Sequence, residues 1–235
     1  ISCLLLLATA MMMVGCGKST GRTLTSATGS IYECLVVMND DALTQEQLSE
    51  IAKYSLVNEA SGYSKPIANQ YDLVEAVMAA DMPCMPQMEP YFRLTHVKPA
   101  LFDDMFKPTR NILFVDIDPA KYTQLKAKVS NDYWSTPHAI CRIHSPSQEE
   151  FVGYWLEHGK EIREWFVNQE ITRQMKFYRA STNKEARAIL QEQGYDMLLP
   201  EDYIVIMDTV QGGASTYSLR RPTMIETEVR LLWCC

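Results

Sequence analysis

The residues with the most chemistry in this 235-residue chain stand together near its start, where Cys16 is followed by Gly17-Lys18-Ser19-Thr20. Two chemistries compete for them. A Gly-Lys-Ser behind an apolar run can close a phosphate-binding loop, and Ile112 to Asp116 (ILFVD) imitates the apolar strand that ends in a magnesium-binding aspartate. That loop needs G-x-x-x-x-G-K-[ST], because successive backbone N–H groups must wrap the phosphates. Met12 occupies the place of the first glycine, and Gly15 leaves only one residue before Gly17. The following TGRTLTSATGS is also a poor start for the helix such a loop feeds. A P-loop nucleotide-binding protein is therefore a remote alternative. The other chemistry is that of the Cys16 thiol, whose sulfur attacks carbon electrophiles and forms a thioether that resists hydrolysis.

The remaining reactive residues do not assemble. His138 and His144 share parity in one apolar run, but six residues of strand separate them by about 20 Å, too far to share a metal ion. His96 and His158 fall on other segments, without a carboxylate at ligand spacing. No cofactor is implied. Neither G-x-S-x-G, Ser-x-x-Lys nor H-E-x-x-H occurs, so no nucleophile is ordered for catalysis. The acidic pairs Asp40-Asp41, Asp103-Asp104 and Glu149-Glu150 fit solvated loops and helix starts better than acid–base pairs. Of the seven cysteines none forms C-x-x-C, which removes a zinc ribbon and a thioredoxin-type site, and Cys34 and Cys141 lie in apolar runs where buried free thiols are common.

Ile1 to Val14 is uncharged and apolar, too short for a spanning helix and closed by small residues, as the apolar core of a secretory signal is. Met13-Val14-Gly15-Cys16 resembles a bacterial lipobox, in which signal peptidase cuts before the cysteine and the thiol carries a diacylglyceryl group. The expected organisation is a signal peptide over 1–15, N-terminally incomplete because no basic residue precedes the apolar run. A lipidated Cys16 carrying palmitate or a similar acyl chain opens a Gly/Ser/Thr-rich tether over 16–30, of about 20 Å. The tether has no acidic run, which favours a periplasm-facing lipoprotein. A domain follows over 31–235, expected to continue beyond the apolar LLWCC end. With 47% hydrophobic residues the domain can bury a core, and a net charge of −7 without a basic stripe argues against nucleic-acid binding.

Apolar runs predict strands at Tyr32–Met38, Tyr91–Val97, Asn111–Ile117, His138–Ile143 and Tyr203–Met207. Helical spacing predicts helices at Leu43–Val57, with Thr44 and Gln47 as a capping box, and at Tyr71–Ala80, Pro119–Val129, Gln148–Tyr178 and Thr182–Gln193, the last closed by Gly194. Gly212-Gly213 reads as a turn, and Pro83, Pro86 and Pro90 exclude regular helix between them. The fold class is α+β, with mixed sheets and flanking helices, and with room for two similar α/β halves at 31–118 and 137–235.

Pro86-Gln87-Met88-Glu89-Pro90-Tyr91-Phe92, Arg110-Asn111-Ile112-Leu113 and Asp132-Tyr133-Trp134-Ser135-Thr136-Pro137-His138 carry a further signal. Together they resemble the P-Q-x-E-P-x-F, R-N-I and D-x-W…P-Q stretches of an uncharacterised bacterial lipoprotein family, domain of unknown function 4837, with His138 in place of the last Gln. The resemblance implies a signal peptide, a lipid anchor and a longer chain, and supplies no activity. Glu89, held extended by Pro90, is expected to bridge to Arg110 and pin the proline-rich loop to the sheet. The sharper alternative makes Gln87, Glu89, Arg110 and Trp134 the rim of a binding cleft. The functional expectation is a non-enzymatic, membrane-anchored cell-envelope lipoprotein, in the inner or outer membrane. Its partners would be membrane lipid and an envelope protein, and the alternative is an envelope hydrolase with an unrecognised site.

Overall fold

A computed structural model describes residues 24–54, 66–192, 194–202, 204–211, 214–220 and 228–234. The expected signal peptide, Cys16, the Gly17-Lys18-Ser19 stretch, the Gly212-Gly213 turn and Cys235 lie outside the described residues. The strands are β1 (Thr25–Ser26), β2 (Glu33–Val37), β3 (Arg93–Val97), β4 (Asn111–Ile117), β5 (Lys126–Asn131), β6 (Ser135–Thr136), β7 (Ala139–Ser145), β8 (Ile204–Gln211), β9 (Ala214–Arg220) and β10 (Glu228–Cys234). The helices are α1 (Gln45–Ile51), α2 (Gln70–Met78), α3 (Gln148–Ala180) and α4 (Lys184–Glu192). The chain is α+β, with both parallel and antiparallel strands.

Five strands form the main sheet in the order β3-β2-β4-β7-β5. The first four run parallel, and β5 closes the edge antiparallel to β7. β2 and β4 lack polar alternation because both of their faces are covered. Cys34, Val36, Leu113, Val115, Cys141 and Ile143 point to the helix side, against Leu73, Val74, Val77 and Met78 of α2 and Phe151, Trp155, Ile162 and Phe166 of α3. Burying each of these large side chains contributes about 1.5–3 kcal/mol. Against the opposite face, Leu35, Val37, Ile112 and Ile140, no α-helix packs among the described residues. Phe102, Phe106 and Trp134 cover it from the connecting loops. β4 lies at the centre, as its sequence suggests, and it pairs with β7 along all seven residues, so one sheet draws strands from both sides of residues 119–136.

The termini of the helices follow local chemistry. Thr44 and Gln47 form the anticipated capping box on α1, Asn69 and Asp72 form a second on α2, and Ser147 caps α3. Gly194, at φ +86°, supplies the left-handed residue after α4. One expected helix is absent: 119–129 forms a turn and then β5. Lys126, Lys128 and Ser130 alternate there with Ala127 and Val129, which gives no helical stripe. The free edge of β7 satisfies the backbone instead.

Of the expected tether, residues 24–30 are held against the fold. β1 runs parallel to β6, Ala27 N–H donates to Thr136 O at 3.0 Å, Thr28 N–H to Pro108 O at 2.9 Å, and Arg110 N–H to Thr28 O at 2.8 Å. β8, β9 and β10 form a separate three-stranded antiparallel sheet. Among the described residues no helix is long and apolar enough to cross a membrane.

Candidate functional site

The four residues expected to rim a cleft fall on three features. Gln87 and Glu89 are exposed on the proline loop between α2 and β3. Two backbone hydrogen bonds tie that loop at its neck, Met82 N–H to Glu89 O at 2.8 Å and Tyr91 N–H to Ala80 O at 2.9 Å. Its return to the sheet is fixed by Arg163 of α3. The guanidinium of Arg163 sits 4.2 Å from the centre of the Tyr91 ring and donates to Val77 O. The expected Glu89–Arg110 bridge is not made, because Arg110 faces a closer and fully buried acid, Glu170 of α3.

That acid is held from every side. Arg110 donates from Nε to Glu170 Oε1 at 2.8 Å and from Nη2 to Oε2 at 2.7 Å. Asn111 Nδ2 donates to Oε1 at 2.7 Å, and Arg173 Nη1 at 2.9 Å. Asn111 also donates to Glu33 O at 2.8 Å and accepts from Arg173 at 2.8 Å, joining β2, β4 and α3. Burial works against the carboxylate charge, and the Arg110 and Asn111 hydrogen bonds and the two guanidinium charges more than offset it, holding Glu170 below the usual carboxylate range. With both oxygens occupied, Glu170 clamps the long helix to the sheet and has no lone pair to spare for acid–base chemistry.

Trp134 leads to the other assembly. Asp132, at φ +50°, accepts from His138 N–H at 3.0 Å and donates its own N–H to His138 O at 2.9 Å. Those bonds close the 132–138 turn, Ser135 Oγ ties it to Pro108 O at 3.1 Å, and Tyr133 and Trp134 stand on the helix-free side of the sheet. Arg142 of β7 places its guanidinium 3.9 Å from the Tyr133 ring centre and 5.2 Å from that of Trp134, while Lys107 Nζ lies 5.9 Å from Trp134. Among the described residues Arg142 has no carboxylate partner, so its charge and donors face outward between aromatic rings. In register beside it on the edge strand is Lys128, and Lys126 is opposite His144. Leu101 at 68%, Met105 at 71% and Tyr133 at 43% exposure add large apolar groups from the same covering loops. Asp104 pairs with Lys107, and Lys121 with both Asp116 and Asp118, while among the described residues Arg142, Lys126 and Lys128 form no ion pair, and neither does Asp103 of the covering loop.

Beneath this surface His138 is 1% exposed and neither ring nitrogen has a hydrogen-bond partner. Burial first, and then the charge of Arg173, push it down to about 4, so the ring is neutral at ordinary pH. The other histidines are used singly. His96 Nε2 lies 2.9 Å from Met38 O and stacks on Tyr71, His144 stacks on Tyr122, and His158 faces Glu161. Among the described residues no three His, Cys, Asp or Glu side chains gather as metal ligands. Burial pushes the thiol of Cys141 up to about 12 and that of Cys34 higher still, which leaves both inert. The arrangement presents cations between aromatic rings, and among the described residues no hydroxyl or thiol is hydrogen-bonded to a histidine.

Sequence reasoning missed Arg142, Tyr133, Glu170 and Arg173. Arg142 was legible as a lone cation inside the apolar strand AICRIHS, and Tyr133 as the neighbour of Trp134. The pair Glu170 and Arg173, three apart on one helix, was the local signal, but the other partners, Arg110 and Asn111, lie about sixty positions away in sequence.

A family model described as a domain of unknown function (DUF8532) matches residues 50–179, from the end of α1 almost to the end of α3. This is a different family from the lipoprotein family 4837 suggested by the proline loop and strand starts. Those motifs are short and sit on a loop, a strand start and a turn, elements that recur across unrelated α+β chains. No curated protein and no solved structure matches the chain.

Proposed function

Because the chain belongs to the DUF8532 family, whose description carries no activity, we propose from its own residues that it is a lipid-anchored cell-envelope module. Its Tyr133–Trp134–Arg142 face would lie against the anionic headgroups of the membrane that holds it. The carrying observation is the pairing of β1 with β6, immediately after Trp134. If Cys16 bears the acyl chain, Gly17 to Thr23 can reach at most about 25 Å before the backbone is pinned beside that turn. The anchor and the cationic, aromatic surface then share one side of the domain. Tyrosine and tryptophan rings suit the interfacial region, where one end is apolar and the other wet, and each basic side chain near an anionic surface adds about 1 kcal/mol. Leu101 and Met105, otherwise costly in water, would reach the same layer.

The hydrolase alternative draws no support from the geometry: among the described residues no serine or threonine hydroxyl and no thiol bonds a histidine. The test is fatty-acid labelling of the full-length gene product in its native envelope, wild type against Cys16→Ala. Label in the wild type and none in the variant is the expected result. An unlabelled wild type recovered from the cytosol overturns the anchor and returns attention to Gly17-Lys18-Ser19.

A further inference from the structure

The proline loop carries a second chemistry, apart from Gln87 and Glu89. Met82-Pro83-Cys84-Met85-Pro86-Gln87-Met88 places one thiol and three thioethers within seven residues. Methionine is ordinarily buried, where its flexible stem fills gaps, yet here Met85 is 42% and Met88 63% exposed, and Cys84 is an exposed free thiol. The core does not claim Cys84, Met85 or Met88, and Met82 is half-buried at the neck. The loop is also closed: the Asp81–Pro90 bridge and the Met82–Glu89 hydrogen bond bring its two ends to the spacing of paired strands, about 5 Å. Met82 and Met88 therefore flank the same neck, with Cys84 and Met85 on the arc between them. Two prolines and the left-handed Cys84, at φ +64°, limit the shapes the arc can take, which lowers the entropy lost when side chains converge on a ligand.

We propose that Met82, Cys84, Met85 and Met88 form a binding site for a soft monovalent cation, Cu(I). Thiolate and thioether sulfur select Cu(I), whereas Zn(II) draws its ligands from thiolate, imidazole and carboxylate. The loop offers one thiol, three thioethers and no histidine, with the carboxylates of Asp81 and Glu89 at its neck; a single thiolate without imidazole is a poor set for zinc, and the four sulfurs suffice for a low-coordinate copper(I) ion. Binding replaces the Cys84 S–H proton by the metal: RSH and Cu⁺ give RS–Cu and H⁺, with no change of oxidation state. The membrane-facing surface uses other residues, so the two proposals stand or fall separately.

The test uses the full chain, reduced and anaerobic, titrated with Cu(I) held by the coloured chelator bathocuproine disulfonate. The wild type is expected to withdraw one equivalent of Cu(I) per loop, and Cys84→Ser to lower the affinity at least tenfold. Met85→Leu with Met88→Leu, which conserves volume on an exposed loop, lowers it while leaving the thiol in place. Uptake that survives both loop variants but disappears with Cys234→Ser/Cys235→Ser would assign the metal to the terminal cysteine pair and overturn the proposal. So would an indicator left undisturbed by the wild type, or Zn(II) displacing Cu(I) at equal concentration. Urea midpoints equal to wild type exclude unfolding as the cause of lost binding.

Discussion

Two buried side chains of opposite character govern how single residues set the stability of this fold. Glu170 is a charge wholly withdrawn from water and matched by Arg110, Arg173 and Asn111. Removing it leaves two guanidinium groups facing each other, so Glu170→Ala should cost about 3–5 kcal/mol. Urea unfolding reads this as a large fall in midpoint at unchanged slope, and a loss under about 1 kcal/mol would show the clamp to be dispensable. His138 is the reverse case, a polar ring whose two nitrogens have no hydrogen-bond partner among the described residues. Its folded value of about 4, against 6.5 when exposed, means that the unfolded chain takes up a proton which the folded chain refuses. Stability therefore falls as pH drops from about 6.5 towards 4, and this contribution is constant below that. Glu170 is also depressed, so its contribution is complete above the ordinary carboxylate value and disappears only as the pH falls through its lower, folded one. The two windows are separable. His138→Phe, which keeps a ring against Trp134, should flatten the stability profile between pH 6.5 and 4 and leave the acid limb intact; an unchanged upper limb would remove His138 as its source.

Among the elements, α3 decides most, because its 33 residues span about 50 Å and cover β4 and β7. Its two glycines make opposite predictions. Gly153 is exposed, and a Cβ there would meet nothing within 4 Å, so Gly153→Ala should add up to about 1 kcal/mol through helix propensity alone. At Gly159 the same Cβ would lie 3.0–3.2 Å from the Trp155 ring. That ring cannot retreat: it is buried, lies against Phe151 and donates Nε1–H to Leu73 O at 3.3 Å. Gly159→Ala should lower the melting temperature although propensity favours it, and a rise at both positions would show that the α2–α3 seam has slack. This helix was legible in the sequence because Phe151, Trp155, Ile162 and Phe166 repeat at helical spacing, and the central strand was legible because NILFVD is apolar on both faces. The edge strand β5 was not. KAKVSN has no strong preference, and only the open edge of β7, a partner remote from it in local pattern, selects strand over helix. The Glu89–Arg110 bridge was misjudged for the same reason: Arg110 answers to Glu170, an acid that only the folded packing of α3 brings near.

At the scale of the whole molecule the issue is orientation. A chain of net charge −7 is repelled on average by an anionic membrane, yet Lys126, Lys128 and Arg142 gather on one side and, among the described residues, form no ion pair. Such a charge distribution turns the domain rather than simply attracting it, and the acyl anchor would supply the attachment that the net charge opposes. Binding should therefore be measured on the chain from Gly17 onward, which carries neither an acyl group nor the apolar residues 1–15. Cosedimentation with phosphatidylglycerol-rich vesicles at low salt should exceed that with phosphatidylcholine vesicles. Lys128→Ala should reduce the anionic partition about fivefold, the equivalent of about 1 kcal/mol for one basic residue near the surface. Raising the salt to 0.15 M shortens the screening length to about 8 Å and should erase most of the difference between the two lipids. Tyr133→Ala should weaken both lipids alike, since ring insertion does not depend on headgroup charge. Equal binding to both vesicle types, unmoved by Lys128→Ala, would mean that this face meets something other than the bilayer, and an acidic envelope protein would then be the partner to seek.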